Sequence, residues 1–280
     1  MQKLLIVDGS NLLFQMFYGM PSRILNKDGK AIHGVLGFVG ALLKIVRMQR
    51  PTHLLVLFDG EHHNDRKDID PDYKANRPDF STMPEEETPF SQLPDIYVAL
   101  DHLKIARMET TVCETDDLIA AYALRYGKQM QIVIASFDSD FFQLINENVC
   151  VLRYRGDNTL FCDNTYIRDK FGISPCQYAD LKSLTGDNAD NIKGANKIGP
   201  KTAAMLLNEF GDLRGILEHV DSIKRPSVKA SIAEAAERLL KNQRLITLDD
   251  KATLPFTIEK LGFEYNGATT NEVLTAIGVK

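Results

Sequence analysis

Three short apolar runs, each followed closely by aspartate, constrain the fold of this chain more than any other feature. The runs cover residues 4–7, 54–58 and 132–135. They are rich in Leu, Ile and Val and do not alternate with polar residues, which is typical of strands buried on both faces. Stretches at 37–46 and 114–126 carry apolar residues at helical spacing. The resulting β-α-β-α-β order predicts an α/β fold with a mainly parallel sheet and helices on both faces.

The composition is that of a globular protein of about two domains, with 280 residues of which 44% are hydrophobic and 25% charged. The four cysteines form no Cys-x-x-Cys pair, so neither a disulfide framework nor a zinc site is expected. No segment approaches the roughly 18 apolar residues of a membrane span. We therefore expect a soluble cytoplasmic protein with no membrane partner. The net charge of −5 argues against a nucleic-acid partner unless the acids are clustered.

The acids are clustered in five groups that follow strands or open helices. They are Asp8, Asp59, the group Glu114, Asp116 and Asp117, the pair Asp138 and Asp140, and the pair Asp187 and Asp190. Any one group can be explained as turn or helix-cap chemistry. Five groups at one edge of a parallel sheet would repel one another unless cations neutralise them. Oxygen ligands without His or Cys favour Mg²⁺ or Mn²⁺, and several carboxylates indicate two ions.

Six segments form an ordered series of motifs along the chain. They read VDGSN, FDG, DYKANRP, ETDDLIA, FDSD and GDNADNIKGANKIGPKTA. Together they resemble the bacterial and phage 5′-nucleases, the family of the flap endonucleases and of the N-terminal 5′-to-3′ exonuclease domain of DNA polymerase I. The resemblance implies a Mg²⁺-dependent, structure-specific phosphodiesterase with 5′-to-3′ exonuclease and flap-endonuclease activity on DNA, serving primer removal and repair. The implied substrates are DNA flaps, nicks and ends, including RNA-primed ones.

The resemblance also implies a two-metal site that uses the acids of all five groups. The ligands would be Asp8, Asp59, Glu114, Asp116, Asp117, Asp138, Asp140, Asp187 and Asp190. Mg²⁺ would occupy both positions, and Mn²⁺ could substitute. Two positions depart from the family pattern: Gln15 replaces an arginine, and Ser139 replaces a lysine. Because neither is a metal ligand, we expect lower affinity or rate rather than loss of activity.

Residues 61–101 are polar and irregular and contain five prolines. A loop of this length inside a compact domain is uncommon unless it is functional. Asp70-Pro71 predicts the start of a short helix that presents Tyr73, Lys74 and Arg77. Composition alone suggests a solvated basic turn. The resemblance implies instead a helical arch that the 5′ end of a single strand threads or passes beneath. Lys74 and Arg77 would then reach the scissile phosphate, and Tyr73 would stack on a base.

A glycine-bearing loop at 194–199 leads into a predicted helix, and the N–H groups at a helix start favour phosphate. Residues 193–229 carry seven Lys and Arg against four Asp and Glu, whereas the rest of the chain is acidic. The segment resembles the family's helix-hairpin-helix element, which grips the duplex backbone without reading sequence and holds a K⁺ in its loop. Lys197 stands where relatives have glycine. The implied DNA-binding residues are Lys193, Lys197, Gly199, Lys201 and Thr202.

The expected organisation is an α/β nuclease domain at 1–170 with the arch at about 61–101, a helical duplex-binding region at 171–250, and a segment at 251–280 that packs on the core. The protein is expected to be a monomer associated with the nucleoid. Two alternatives are a ribonuclease with a similar acidic core and a junction-binding protein without catalysis. The arch and the basic segment argue against the first, and the full set of nine acids argues against the second.

Overall fold

The computed structural model describes residues 2–60 and 65–280 of the chain. The strands are β1 Lys3–Asp8, β2 His53–Asp59, β3 Ala106–Thr110, β4 Gln131–Ala135, β5 Val149–Arg153, β6 Leu160–Cys162, β7 Gly186–Asp187 and β8 Ile192–Lys193. The first six form one sheet in the order β3-β2-β1-β4-β5-β6, and β7 pairs with β8 in a separate hairpin. Strands β1 to β5 are parallel, and β6 is antiparallel to β5. The predicted mainly parallel sheet is confirmed.

The helices lie on both faces of this sheet, as predicted. They are α1 Gly9–Gly19, α2 His33–Gln49, α3 Asp65–Ile69, α4 Leu93–His102, α5 Thr115–Tyr126, α6 Asn164–Phe171, α7 Tyr178–Thr185, α8 Pro200–Phe210, α9 Leu213–Glu218, α10 Pro226–Ile246 and α11 Thr270–Ala276. Successive residues of a strand point to opposite faces. Leu4 and Ile6 of β1 therefore join the core formed with α5 to α10, whereas Leu5 and Val7 join the core formed with α2, α4 and α11.

The strand register brings the acidic strand ends together. β1 lies between β2 and β4, with Leu5 opposite both Leu54 and Val133. All three strands are parallel, so their carboxyl ends meet at one edge of the sheet, where ligands of such folds bind. This edge carries Asp8 and Asp59 as the last residues of β1 and β2.

The predicted helix starting at Asp70 is absent, and this prediction is wrong. The helix in this region is α3, which ends at Ile69, and residues 71–77 form consecutive turns. Lys74 adopts a left-handed φ of 57°, and its N–H donates to the carbonyl of Asp190 (3.0 Å) instead of to its own segment. Docking on a distant loop thus replaces the helical hydrogen bonds. Residues 61–64, the first part of the expected arch, lie outside the described residues.

Residues from the last third of the chain pack on both layers of the fold. The N–H of Phe263 donates to the carbonyl of Thr52 (2.9 Å), and α11 adds Val273 and Leu274 to the core around α2. The 21-residue helix α10 packs along α7. Among the helices at 2–60 and 65–280, none combines the length and apolar character that a transmembrane span requires.

We expect Asn242 to hold the β7–β8 hairpin in place. This buried side chain of α10 donates from Nδ2 to the carbonyls of Ser183 (3.0 Å) and Lys193 (2.9 Å). Asn242→Ala should lower the free energy of unfolding by about 2 kcal/mol, because buried carbonyls lose their donor. Chemical denaturation measures this. The control is Asn208→Ala, an exposed asparagine that also donates to a carbonyl, for which about 0.5 kcal/mol or less is expected. Equal losses in both variants would contradict the assigned role.

Candidate active site

Asp8 joins three elements at the sheet edge. It is the N-cap of α1, where Oδ1 accepts from the N–H of Asn11 (2.9 Å), and its Oδ2 accepts from Oγ of Ser136 after β4 (2.8 Å). Asp59 makes the corresponding link from β2, because its Oδ1 accepts from the N–H of Thr115 at the start of α5 (3.1 Å). The capping that sequence statistics assign to such aspartates is therefore present, and it fixes their carboxylates in place.

The spacing of Asp138 and Asp140, two residues apart, predicts that both face the same side of an extended chain, and this prediction is wrong. Ser139 takes a right-handed helical conformation, and Asp140 begins a 3₁₀ turn at Asp140–Leu144. The N–H of Asp140 donates to Oδ1 of Asp138 (2.8 Å). This tight turn sends the two carboxylates into different groups of acids.

The first acidic group consists of Asp8, Asp59, Asp116 and Asp138. Burial, and next the charge of Asp59, raises the pKa of Asp8 to about 7. Burial and the charge of Asp138 raise the pKa of Asp116 well above its ordinary value. Raised pKa values mean that these carboxylates resist carrying their charges together. The group therefore has the electrostatics of a cation site.

The second acidic group consists of Asp140, Asp187 and Asp190. One carboxylate oxygen of each lies within 4.8 Å of the other two. Lys182 of α7 lies among them, buried, and forms ion pairs with Asp140 and Asp187. Burial alone would lower the pKa of Lys182, but the two carboxylates raise it above its ordinary value. A lysine ammonium thus neutralises part of this group.

Sequence reasoning missed Lys182. No clear signal marked it, because the run 178–184 mixes Tyr, Ala and Leu with Asp180 and Ser183. In the structure every residue of that run is buried. A buried lysine requires an acidic partner, and Asp187 lies two residues beyond the end of the helix.

The acids that open α5 point in different directions. Asp116 joins the first acidic group, whereas Asp117 accepts two hydrogen bonds from the guanidinium of Arg66 (2.7 and 2.8 Å). The same guanidinium donates to Oε2 of Glu114 (3.0 Å) and to the carbonyl of Leu245 (2.8 Å). Arg66 was also missed, because nothing in its neighbourhood marks it as buried. It ties α3, α5 and the end of α10 together.

Tyr73 is buried, which corrects the expectation that its ring is open for stacking on a base. It packs in an apolar cluster with Ile192, Leu245 and Ile246, and only 4% of the residue is exposed. Its hydroxyl faces Glu114 and Asp190 (3.5 and 3.4 Å). Tyr73 therefore anchors the segment that carries it.

The turn segment 71–77 places its two cations on the acids. Nζ of Lys74 lies 2.9 Å from Oε1 of Glu114, and a guanidinium nitrogen of Arg77 lies 2.9 Å from Oδ1 of Asp190. Nδ2 of Asn76 donates to the carbonyl of Asn188 (2.8 Å). Burial would lower the pKa of Lys74, but Glu114 raises it above its ordinary value. Lys74 and Arg77 are thus positioned within reach of anything bound at the acids.

The predicted DNA-binding residues lie around the β8 strand and the start of α8. Lys193, Lys197, Gly199 and Lys201 are exposed, and Thr202 is partly exposed. Gly199 is the N-cap of α8. Lys197 adopts a left-handed φ of 59°, a conformation that favours glycine, so the loop keeps this backbone geometry with a lysine. Gln15 donates from Nε2 to the carbonyl of Tyr154 (2.7 Å), which links α1 to the end of β5.

Two family models together match residues 3–269 of this chain. Residues 3–172 match the model for the 5′-3′ exonuclease N-terminal resolvase-like domain, and residues 173–269 match that for the 5′-3′ exonuclease C-terminal SAM fold. A 5′-3′ exonuclease of Streptomyces coelicolor is 33% identical over 97% of this chain and 94% of that protein.

Longer proteins and solved structures match as well. DNA polymerase I of Bacillus subtilis is 31% identical over 98% of this chain, and the chain spans about 30% of that protein's length. A bacteriophage T5 flap endonuclease, solved as a complex with DNA and metal ions, superposes with a TM-score of 0.70 at 22% identity, covering 88% of this chain and 89% of that one. This last match establishes the likeness of the fold.

Arg66→Met should destabilise the protein by about 3–5 kcal/mol, because it removes the guanidinium that binds the buried carboxylate of Asp117 through two hydrogen bonds and takes one cation from Glu114. The free energy of unfolding from chemical denaturation checks this. Arg107→Met is the matched control, since Arg107 makes a bidentate pair with Asp101 whose side chain is 60% exposed. An exposed pair contributes about 0–1 kcal/mol. A loss at Arg66 no larger than at Arg107 would show that Arg66 is not needed to hold the acids.

Proposed function

The chain belongs to the 5′-3′ exonuclease family, and we propose that it is a Mg²⁺-dependent, structure-specific nuclease that removes 5′ flaps and degrades DNA from 5′ ends. The observation that carries the proposal is the convergence of acids from β1, β2, β4, α5 and the β7–β8 hairpin into two neighbouring groups at one sheet edge. Primer removal and repair, including RNA-primed ends, are the processes that such an activity would serve.

The two acidic groups fit two divalent ions. Both offer oxygen ligands only, which suits Mg²⁺ and allows Mn²⁺ in its place. The raised pKa values of Asp8 and Asp116 support this assignment, because a bound cation would offset both the burial and the mutual repulsion that raise them. Bound ions would stabilise negative charge on the phosphodiester during an in-line displacement that leaves a 5′-phosphate. Glu114 and Asp117 are assigned to the same set, with Arg66 orienting both.

Lys74 and Arg77 are the proposed contacts to the scissile phosphate. Lys74 pairs with Glu114, two residues before Asp116 of the first group, and Arg77 pairs with Asp190 of the second, so a phosphate bound there would come within their reach. Cations placed where negative charge develops contribute to the rate rather than to binding alone. The buried ring of Tyr73 anchors the segment that carries Lys74 and Arg77. The segment thus forms the inner wall of the proposed passage for a single 5′ strand.

The exposed lysines around α8 are the proposed grip on duplex DNA. Lys193, Lys197 and Lys201 would pair with backbone phosphates, with Gly199 and Thr202 offering the N–H groups of the helix start. A K⁺ in the loop at 194–199 would complete this element. The proposed organisation is a nuclease domain at 1–170, a duplex-binding region at 171–250 and a closing segment at 251–280, in a cytoplasmic, nucleoid-associated monomer.

The proposal is tested on a 5′-labelled flap DNA with Mg²⁺ or with a chelator. Cleavage at the flap base is expected only with Mg²⁺. Asp187→Asn should lower the rate by roughly 10³-fold, since a metal ligand contributes several kcal/mol to the transition state. Asp169→Asn, an exposed aspartate of α6, is the matched control and should be unchanged. Binding without cleavage would favour the junction-binding alternative, and cleavage of RNA alone would favour the ribonuclease.

Lys74→Ala should lower the single-turnover rate about 10²-fold or more while equilibrium binding of the flap changes only a few-fold, because the contact strengthens as charge develops. Rapid-quench kinetics and fluorescence anisotropy measure the two quantities. Lys128→Ala, an exposed lysine beyond the end of α5, is the control. A parallel loss of rate and binding would mean that Lys74 serves binding alone. The melting temperature of each variant excludes unfolding.

A further inference from the structure

Two arginines lie at the carboxyl end of β5, beside the acids. β5 runs parallel to β4, with Leu152 opposite Ala135, and the N–H of Ser136 donates to the carbonyl of Leu152 (3.2 Å). Arg153 is the last residue of β5. Arg153 and the two residues after it therefore lie at the same edge of the sheet as residues 136–138, which follow β4.

Contacts confirm this placement for both arginines. Arg153 donates to the carbonyl of Phe137 (2.7 Å), and its guanidinium lies 4.6 Å from the ring centroid of Phe142. The guanidinium of Arg155 lies 5.9 Å from the ring centroid of Phe137, the residue that precedes Asp138 of the first acidic group. Both guanidinium groups thus lie against Phe137, the residue next to the proposed metal ligand Asp138.

The two arginines differ in what their donors can still bind. Arg153 is partly buried and engaged by the Phe137 carbonyl. Arg155 is exposed, and among residues 2–60 and 65–280 it forms no ion pair with an acid. Arg66, Lys74, Arg77 and Lys182 are all neutralised by acids at this edge. Within the described part of the chain, the guanidinium of Arg155 has no acidic partner, so its donors remain available to a ligand.

The backbone around Arg155 is held in place from several sides. The carbonyl of Tyr154 accepts from Gln15 (2.7 Å), the N–H of Arg155 donates to Oγ1 of Thr159 (3.1 Å), and the carbonyl of Arg155 accepts from the N–H of Asn158 (3.1 Å). The ring of Phe137 supports the guanidinium. Because the backbone is already fixed, only the side chain of Arg155 has to be ordered when it binds.

We infer that Arg155 binds a backbone phosphate of the DNA strand being cut, next to the phosphate held at the acids. The inference rests on the proposed function. A guanidinium offers the planar pair of donors that suits a phosphodiester. Neighbouring strands are about 4.8 Å apart, so a side chain on β5 is offset from the acids of β1 and β4 along the edge, where an adjacent phosphate would lie. The contact carries no base specificity.

Salt dependence of DNA binding tests the contact. Variants Arg155→Ala, Arg155→Lys and Arg125→Ala are made in an Asp187→Asn background, and affinity for a flap DNA is measured by fluorescence anisotropy with Mg²⁺ over a series of NaCl concentrations. Arg125, exposed on the last turn of α5, lies at the opposite edge of the sheet and controls for net charge. Arg155→Ala should reduce the slope of log affinity against log salt by about 0.7–0.9, the value for one lost phosphate contact.

The other two variants separate a phosphate contact of Arg155 from a general effect of net charge. Arg125→Ala should leave the slope unchanged, and Arg155→Lys should retain most of it, because lysine keeps the charge. Equal slopes for Arg155→Ala and Arg125→Ala would overturn the inference, leaving Arg155 as a solvated surface side chain. If the unsubstituted protein binds flap DNA without cutting it, the proposed function fails while the slopes still test Arg155. If it does not bind DNA, both are overturned.

Discussion

Repulsion between carboxylates at one edge of the sheet is the constraint on which the rest of the structure depends. Parallel strands bring their acidic ends together, and burial strengthens the repulsion by removing water. Basic side chains from distant segments offset this repulsion by pairing with the acids. They are Arg66 of α3, Lys74 and Arg77 of the turn segment 71–77, and Lys182 of α7. The packing of these segments on the sheet is therefore coupled to the charge of the site.

These cations do not all have the same role. Arg66 is buried, makes several hydrogen bonds to two carboxylates, and also donates to backbone carbonyls, so it has no freedom to change partner. Arg77 makes a single ion pair, and 53% of its side chain is exposed. Lys182 touches two acids of the group proposed to hold an ion. The geometry thus separates Arg66, which is buried and held by several hydrogen bonds, from Arg77, whose single pair leaves its side chain half exposed.

The sequence allowed the sheet and the acids to be predicted, because both leave local signals. Unalternating apolar runs mark β1, β2 and β4, and aspartates at strand ends mark the site edge. β3 was not predicted, since its residues are only partly buried and alternate too weakly to be distinguished. The turn at 71–77 was misassigned as a helix because its hydrogen-bond partner, Asp190, lies more than 110 residues away. Arg66 and Lys182 escaped for the same reason: their burial is decided by partners that local patterns do not reveal.

The bonds from Arg66 to Leu245 and Thr247 also set an order of events during synthesis of the chain. The acids and Arg66 leave the ribosome before α10 exists, and the arginine is separated from Leu245 by 179 residues. At about 5–20 residues per second, that separation lasts about 10–35 s. During this interval Arg66 lacks the two backbone carbonyls at the end of α10 and just beyond it that hold its guanidinium in place. A growing polypeptide surrounded by messenger and ribosomal RNA thus acquires its fully braced site only after α10 has been made.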